Sequence, residues 1–150
     1  MSGWQGARGA LPNEGEEGGQ AVLKRRGSKK SNQELARIGE EHAARYLRSR
    51  GYRIVERNYR GAGAEVDIVA EHRGTLVFVE VKARSSDEYG APREAVTWWK
   101  QHRIARAAAC YVALREGRER VMRFDVVEVF LTPEGRVGKV EVIEGAFEGG

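Results

Sequence analysis

From residue 31 onward the chain switches between two hydrophobic spacings, and the switches lay out its elements. Leu35, Ile38, Ala43, Tyr46 and Leu47 recur at helical intervals behind Ser31-Asn32-Gln33-Glu34, a Ser-x-x-Glu capping box, and the pattern stops at Gly51. This predicts a helix over 32–50. With Leu35, Ile38, His42 and Tyr46 on its inner face, Glu40 falls beside Leu47 at the border and is the acid able to look toward a sheet. Residues 52–59 alternate loosely as a first strand, and Gly61-Ala62-Gly63-Ala64 reads as a loop. Two apolar runs follow, 65–70 and 75–82, folded back on each other by the polar turn Glu71-His72-Arg73-Gly74. The second run, Thr75-Leu76-Val77-Phe78-Val79-Glu80-Val81-Lys82, is rich in β-branched and aromatic residues and free of proline, as in a strand buried on both faces.

The polar, Gly- and Pro-punctuated stretch 85–92 predicts a loop. A second helix should start near Thr97 and run to Arg115, with Ile104, Ala107, Ala108, Tyr111 and Val112 inward and Lys100 on the same face. Residues 124–131 read as a strand, Thr132-Pro133-Glu134-Gly135 as a turn, and 137–143 as a final edge strand. The order α-β-β-β-α-β-β predicts an α/β fold with a mixed sheet flanked by helices.

Acidic residues interrupt the apolar hairpin where they are expensive. Strand residues alternate faces and rise about 3.3 Å each, so Glu80 and Lys82 share a face, and the hairpin brings Asp67 beside Glu80. Two carboxylates and a lysine in such a setting must be paired or bind a cation. Two readings stay open on spacing alone: a metal site with a water-activating lysine, or a buried Glu80–Lys82 or Asp67–Lys82 pair at the end of the sheet. Glu65 has the parity of Asp67, but its place at the strand start points it to solvent.

Composition changes this picture modestly. The 150 residues suit one domain beginning near Ser31, preceded by a glycine-rich, basic, flexible tail over 1–30. That tail carries six basic against three acidic residues and so +3 of the net +4, leaving the domain at 31–150 nearly neutral. Any contact with phosphates must therefore come from local clusters, around Arg45–Arg60 and around Arg93, Lys100, Arg103 and Arg106. No apolar stretch approaches membrane-spanning length and no signal core precedes the domain, which predicts a cytoplasmic protein without a membrane partner. Cys110 is alone among alanines and reads as a packing residue, and His42, His72 and His102 read as surface or border residues. Trp98 and Trp99 have the chemistry to stack on bases of a distorted strand, but burial against the sheet or a partner subunit is the expected role.

Gly39-Glu40, Ala64-Glu65-Val66-Asp67, Phe78-Val79-Glu80-Val81-Lys82-Ala83-Arg84, Pro92 with Ala95-Val96, Lys100-Gln101-His102-Arg103 and Arg123-Phe124-Asp125-Val126-Val127 together resemble the uncharacterised bacterial YraN family, over residues 31–143. That family is similar in motif order to the PD-(D/E)xK nucleases, especially archaeal Holliday-junction resolvases. The resemblance implies a restriction-endonuclease-like fold. It also implies a Mg²⁺- or Mn²⁺-dependent endonuclease acting on structured DNA, with Asp67 and Glu80 as metal-holding carboxylates, Glu40 as a helix-borne acid near the metal and Lys82 as the motif lysine. Lys100 would be an auxiliary helix residue, and Arg84 and Arg103 stand with it as candidate nucleic-acid contacts. A homodimer is implied as well, since cutting two strands symmetrically needs two sites. Val66 stands where the superfamily motif has proline, and Ala64 where the family has glycine. The alternative is a non-catalytic nucleic-acid-binding or DNA-processing accessory protein on the same fold. A protein-interaction module, with Glu80 and Lys82 only a buried pair, is a third possibility.

Overall fold

A computed structural model describes residues 28–93 and 95–149. The expected basic tail lies, up to residue 27, outside the described residues. Contacts divide the chain into Asn32–Thr132 with Arg136–Gly150, which holds every helix and strand below, and a small unit of Met1–Ser31 with Pro133–Gly135. Of the small unit, 28–31 and the turn at 133–135 are described.

The elements are α1 (Asn32–Ser49), β1 (Arg53–Gly61), β2 (Ala64–His72), β3 (Thr75–Ser85), α2 (Trp98–Tyr111), β4 (Met122–Leu131) and β5 (Val137–Phe147). The predicted order α-β-β-β-α-β-β is the observed one. A five-stranded sheet runs in sequence order β1-β2-β3-β4-β5, antiparallel except where β3 meets β4 in parallel. The parallel step is where α2 crosses over, because two parallel neighbours cannot be joined by a tight turn. This is the α/β, mixed-sheet arrangement of a restriction-endonuclease-like fold.

Both early turns are tighter than the sequence suggests. Ala62-Gly63 and Arg73-Gly74 each place two consecutive residues at positive φ, the two-residue hairpin geometry that matches the twist of the flanking strands. The second helix ends as an α-helix at Tyr111 and finishes in a wider π-type turn, Val112–Glu116, closed by Gly117 at φ 68°. Thr97 caps its start by accepting the Lys100 N–H.

Each sheet face has its own core. On one face Ala43, Ala44 and Leu47 of α1 pack with Ile68, Ala70, Val77, Val79, Val127 and Val129; on the other, Ile104, Ala107, Ala108 and Tyr111 of α2 pack with Tyr59, Val66, Leu76, Phe78 and Phe124. The inner face of α1 is centred on Gly39, Ala43, Ala44 and Leu47, with His42 and Tyr46 only half-buried. Spacing weighted the large side chains, whereas the small ones let the helix approach the strands. At Gly39 an added Cβ would meet Ala83 Cβ at 3.5 Å and Val129 Cβ at 3.8 Å, ordinary contact distances. Gly39→Ala is therefore expected to stabilise the domain by about 0.5–1 kcal/mol in denaturant melts, through the backbone freedom it removes from the unfolded chain.

Candidate active site

The β2–β3 ladder is paired from His72↔Thr75 to Ile68↔Val79 and then stops. Beyond Ile68 the face alternation slips: Ile68 and Ala70 belong to the α1 core, yet Val66 belongs to the α2 core. Across from the slip, on β1, Asn58 adopts φ 53°, a left-handed conformation that asparagine tolerates better than most residues. Strands 2 and 3 thus part at Asp67, and its carboxylate closes the gap, Oδ2 accepting the Val81 N–H at 2.8 Å. A side chain has taken the place of a ladder carbonyl.

The gap holds a cavity of about 140 Å³ lined by Ala64, Glu65, Asp67, Glu80, Lys100, Arg103 and Ile104. Glu80 is 9% exposed, and its Oε2 meets Lys100 Nζ at 3.0 Å. Lys100 reaches it because, at about 100° per residue, it lies in line with Ile104, Ala107 and Tyr111 on the buried face of α2. Glu40 comes from α1, is half-buried, and accepts from Asn58 Nδ2 at 3.2 Å. Burial, then the charge of Glu80, and further Glu40, push the Asp67 carboxyl up to about 7, while the Val81 N–H and Lys100 pull the other way. Repulsion among acids outweighs the one lysine.

That imbalance has a pH signature. A carboxyl raised in the folded state costs nothing while both states are protonated, and its penalty grows as pH rises from about 4 through about 7. Asp67→Asn keeps an oxygen for the Val81 N–H and loses the charge. The variant should be the more stable protein at pH 8, by on the order of 2 kcal/mol, with the difference vanishing below pH 4. Thermal melts of both proteins across that range check it.

The sequence-predicted residues are distributed unevenly. Asp67, Glu80, Lys100 and Arg103 line one cavity, and Glu40 acts on it through its charge. Lys82 is half-buried two residues along β3 from Glu80 and is not among the residues lining the cavity. Arg84 is 7% exposed and turned into the fold, where Glu128 Oε2 accepts from it at 3.1 Å and Glu88 Oε1 at 3.4 Å. Among the described residues no three or more His, Cys, Asp or Glu side chains converge as a metal-holding group. Two carboxylates nonetheless suffice for Mg²⁺, which typically keeps waters and takes only one or two from the protein. The donor chemistry fits: hard oxygens with excess negative charge.

Spacing missed three features. Asn58 carries no signal beyond its residue type. Asp125 is 0% exposed and ringed by donors: Arg123 Nε and Nη2 at 2.8 Å each, the Tyr52 hydroxyl at 2.9 Å and the Gly145 N–H at 3.0 Å. His72, expected at the surface, is buried there, its ring stacked 4.0 Å from Tyr52 and Nδ1 3.1 Å from Arg123 Nη2. It is buried because the tight turn after it lets β2 stay paired to its last residue. Glu128, 1% exposed, is the third. Asp125 and Glu128 were detectable by the argument that singled out Asp67 and Glu80, an acid inside an apolar strand.

A model of the uncharacterised protein family UPF0102 matches residues 39–129, from the glycine before Glu40 into β4. The chain belongs to this family. A UPF0102 protein of Moorella thermoacetica is 50% identical over 110 residues, covering 73% of this chain and 92% of that protein. One from Trichlorobacter lovleyi is 47% identical over 120 residues, covering 79% and 94%, and one from Dictyoglomus turgidum 38% over 117 residues, covering 78% and 99%. The UPF0102 match takes in all the candidate site residues, Glu40, Asp67, Glu80, Lys82, Arg84, Lys100 and Arg103.

Proposed function

We propose that this UPF0102 protein is a metal-dependent endonuclease-like protein that hydrolyses phosphodiester bonds in structured DNA. The observation that carries the reading is the pair Asp67 and Glu80 in the opened β2–β3 ladder, where burial, with neighbouring acids adding to it, raises one carboxyl to about 7. A divalent cation relieves that penalty, and the cavity is wide enough for a cation and waters.

Asp67 and Glu80 would hold Mg²⁺ or Mn²⁺, with Glu40 adding negative charge from α1. When bound, the ion neutralises a phosphodiester and lowers the pKa of a water. The protein's own groups do the rest. The Val81 N–H fixes the Asp67 carboxylate. Lys100 holds Glu80 in place and brings positive charge to a phosphate at the cavity, joined by Arg103. Lys82 lies on the same strand face as Glu80, outside the cavity lining, and would act from there on the attacking water and on charge gathering on the phosphate.

The test is incubation of the purified protein with labelled duplex, single-stranded, flapped and four-way-junction DNA, in Mg²⁺, Mn²⁺ or EDTA. Metal-dependent cutting of at least one shape is expected, and absence of cutting on all of them would reject the nuclease. The position of Lys82 outside the cavity lining favours, as second reading, an accessory protein that binds DNA without cutting; binding in both Mg²⁺ and EDTA with no product would establish it. Among the described residues no helix is long and apolar enough to cross a membrane.

A further inference from the structure

Trp98 and Trp99 do not pack against the sheet. They are 56% and 71% exposed and immediately precede Lys100, which lines the Asp67–Glu80 cavity. Tryptophan is usually well covered even when its N–H reaches water, so two consecutive exposed indoles are unusual. Nor are they loose. The Trp98 ring lies 3.8 Å from the His102 ring, and the two indoles meet nearly perpendicular, 86° apart at 4.6 Å, so each limits the other's rotation.

The helix dictates what surrounds them. At about 100° per residue, Trp99, Arg103 and Arg106 fall within about 60° of one another, a stripe immediately beside the Lys100–Ile104–Ala107 line that faces the sheet. Arg103 and Arg106 are exposed, and Arg103 also lines the cavity. The first turn of α2 has no acidic residue. A flat aromatic face followed along one stripe by two guanidinium groups is complementary to a nucleotide, with a base to stack and phosphates to neutralise. An acidic or apolar peptide would use the arginines or the indoles, not the alternation.

We infer that Trp99, braced by Trp98, is a stacking platform for an unpaired base next to the phosphate held at the cavity. This rests on the nuclease reading and sharpens it: the substrate class is DNA with unpaired nucleotides at or beside the reactive phosphate, because a paired base offers no free face to an indole. Trp99 is then a specificity residue. It meets the base, takes no part in bond cleavage, and discriminates strand structure but not sequence, since every base has a π face.

The experiment measures binding of fluorescein-labelled single-stranded and fully paired oligonucleotides, in EDTA and moderate salt, to the full chain and to Trp99→Ala, Trp99→Phe and Arg103→Ala. Trp99→Ala should weaken single-strand binding about tenfold and leave duplex binding within about twofold, with Trp99→Phe recovering most of the loss. Arg103→Ala should weaken both and reduce the salt slope by about one, which Trp99→Ala should not. In a Trp4→Phe background, single strands should quench tryptophan emission and duplex should not. Equal losses on both DNA forms, or none, would overturn the stacking role while leaving the nuclease reading intact. No binding to either form by the unsubstituted protein would overturn the stacking role, and the cleavage assay decides the nuclease reading separately. Self-association that vanishes in Trp99→Ala, seen by sedimentation, would assign the indoles to a second copy and overturn the inference as well.

Discussion

Replacing Asp67 or Glu80 by alanine is expected to lower metal-dependent cleavage by about 10²–10³-fold, the several kcal/mol that a correctly held ion contributes to stabilising charge in the transition state. Neither acid can cover for the other. Asp67 is fixed by the Val81 N–H, and Glu80 is fixed by Lys100 on α2, so the two carboxylates approach from different strands and cannot trade places. The losses should therefore be non-additive, with Asp67→Ala/Glu80→Ala no worse than either single variant. Folding supplies the control. Asp67→Asn is expected to abolish cutting while raising stability above pH 7, so a variant that loses activity and gains stability separates chemistry from collapse. Single-turnover assays with a labelled flap or junction, paired with denaturant melts, measure both. Activity within tenfold of the parent in both single variants would remove these acids from the chemistry.

Arg123→Ala should cost about 3–5 kcal/mol of folding stability, because it leaves the fully buried Asp125 carboxylate short of its charge partner. The Tyr52 hydroxyl and the Gly145 N–H would remain, two donors in place of four. The loss is comparable to the whole stability of many domains of this size, so the variant should melt tens of degrees lower or fail to accumulate folded. Arg123→Lys keeps the charge without the two-pronged contact and should fall between. If the cost comes from the stranded carboxylate, Asp125→Asn introduced into Arg123→Ala should recover part of it, and equilibrium urea unfolding of the three proteins decides this. An effect below about 1 kcal/mol in Arg123→Ala would mean that water reaches Asp125 and the network is not sealed.

Most of the architecture was legible because periodicity reports burial. The seven elements and their order follow from where apolar residues recur at helical or alternating intervals, and Asp67 with Glu80 stood out by breaking that pattern. Periodicity fails where backbone geometry overrides it. The slip between Val66 and Ile68, opposite the left-handed Asn58, lets β2 part from β3 and makes room for the cavity, and no spacing of residue types announces it. The shifted inner face of α1 was hidden for a related reason: Gly39, Ala43 and Ala44 contribute closeness, which a hydrophobicity pattern scores low. Trp98 and Trp99 misled in the opposite direction, since their bulk argued for burial while their position ahead of the Ile104–Tyr111 core kept them outside it.

The cavity's walls come from two sources that answer to different constraints. Its acids belong to β2 and β3, where moving one side chain disturbs strand pairing and the packing on both faces. Lys100, Arg103 and the neighbouring indoles belong to the first two turns of one helix, whose outer positions touch little else. A substitution along that short stretch of helix surface can therefore change what borders the cavity without disturbing the strands that carry Asp67 and Glu80.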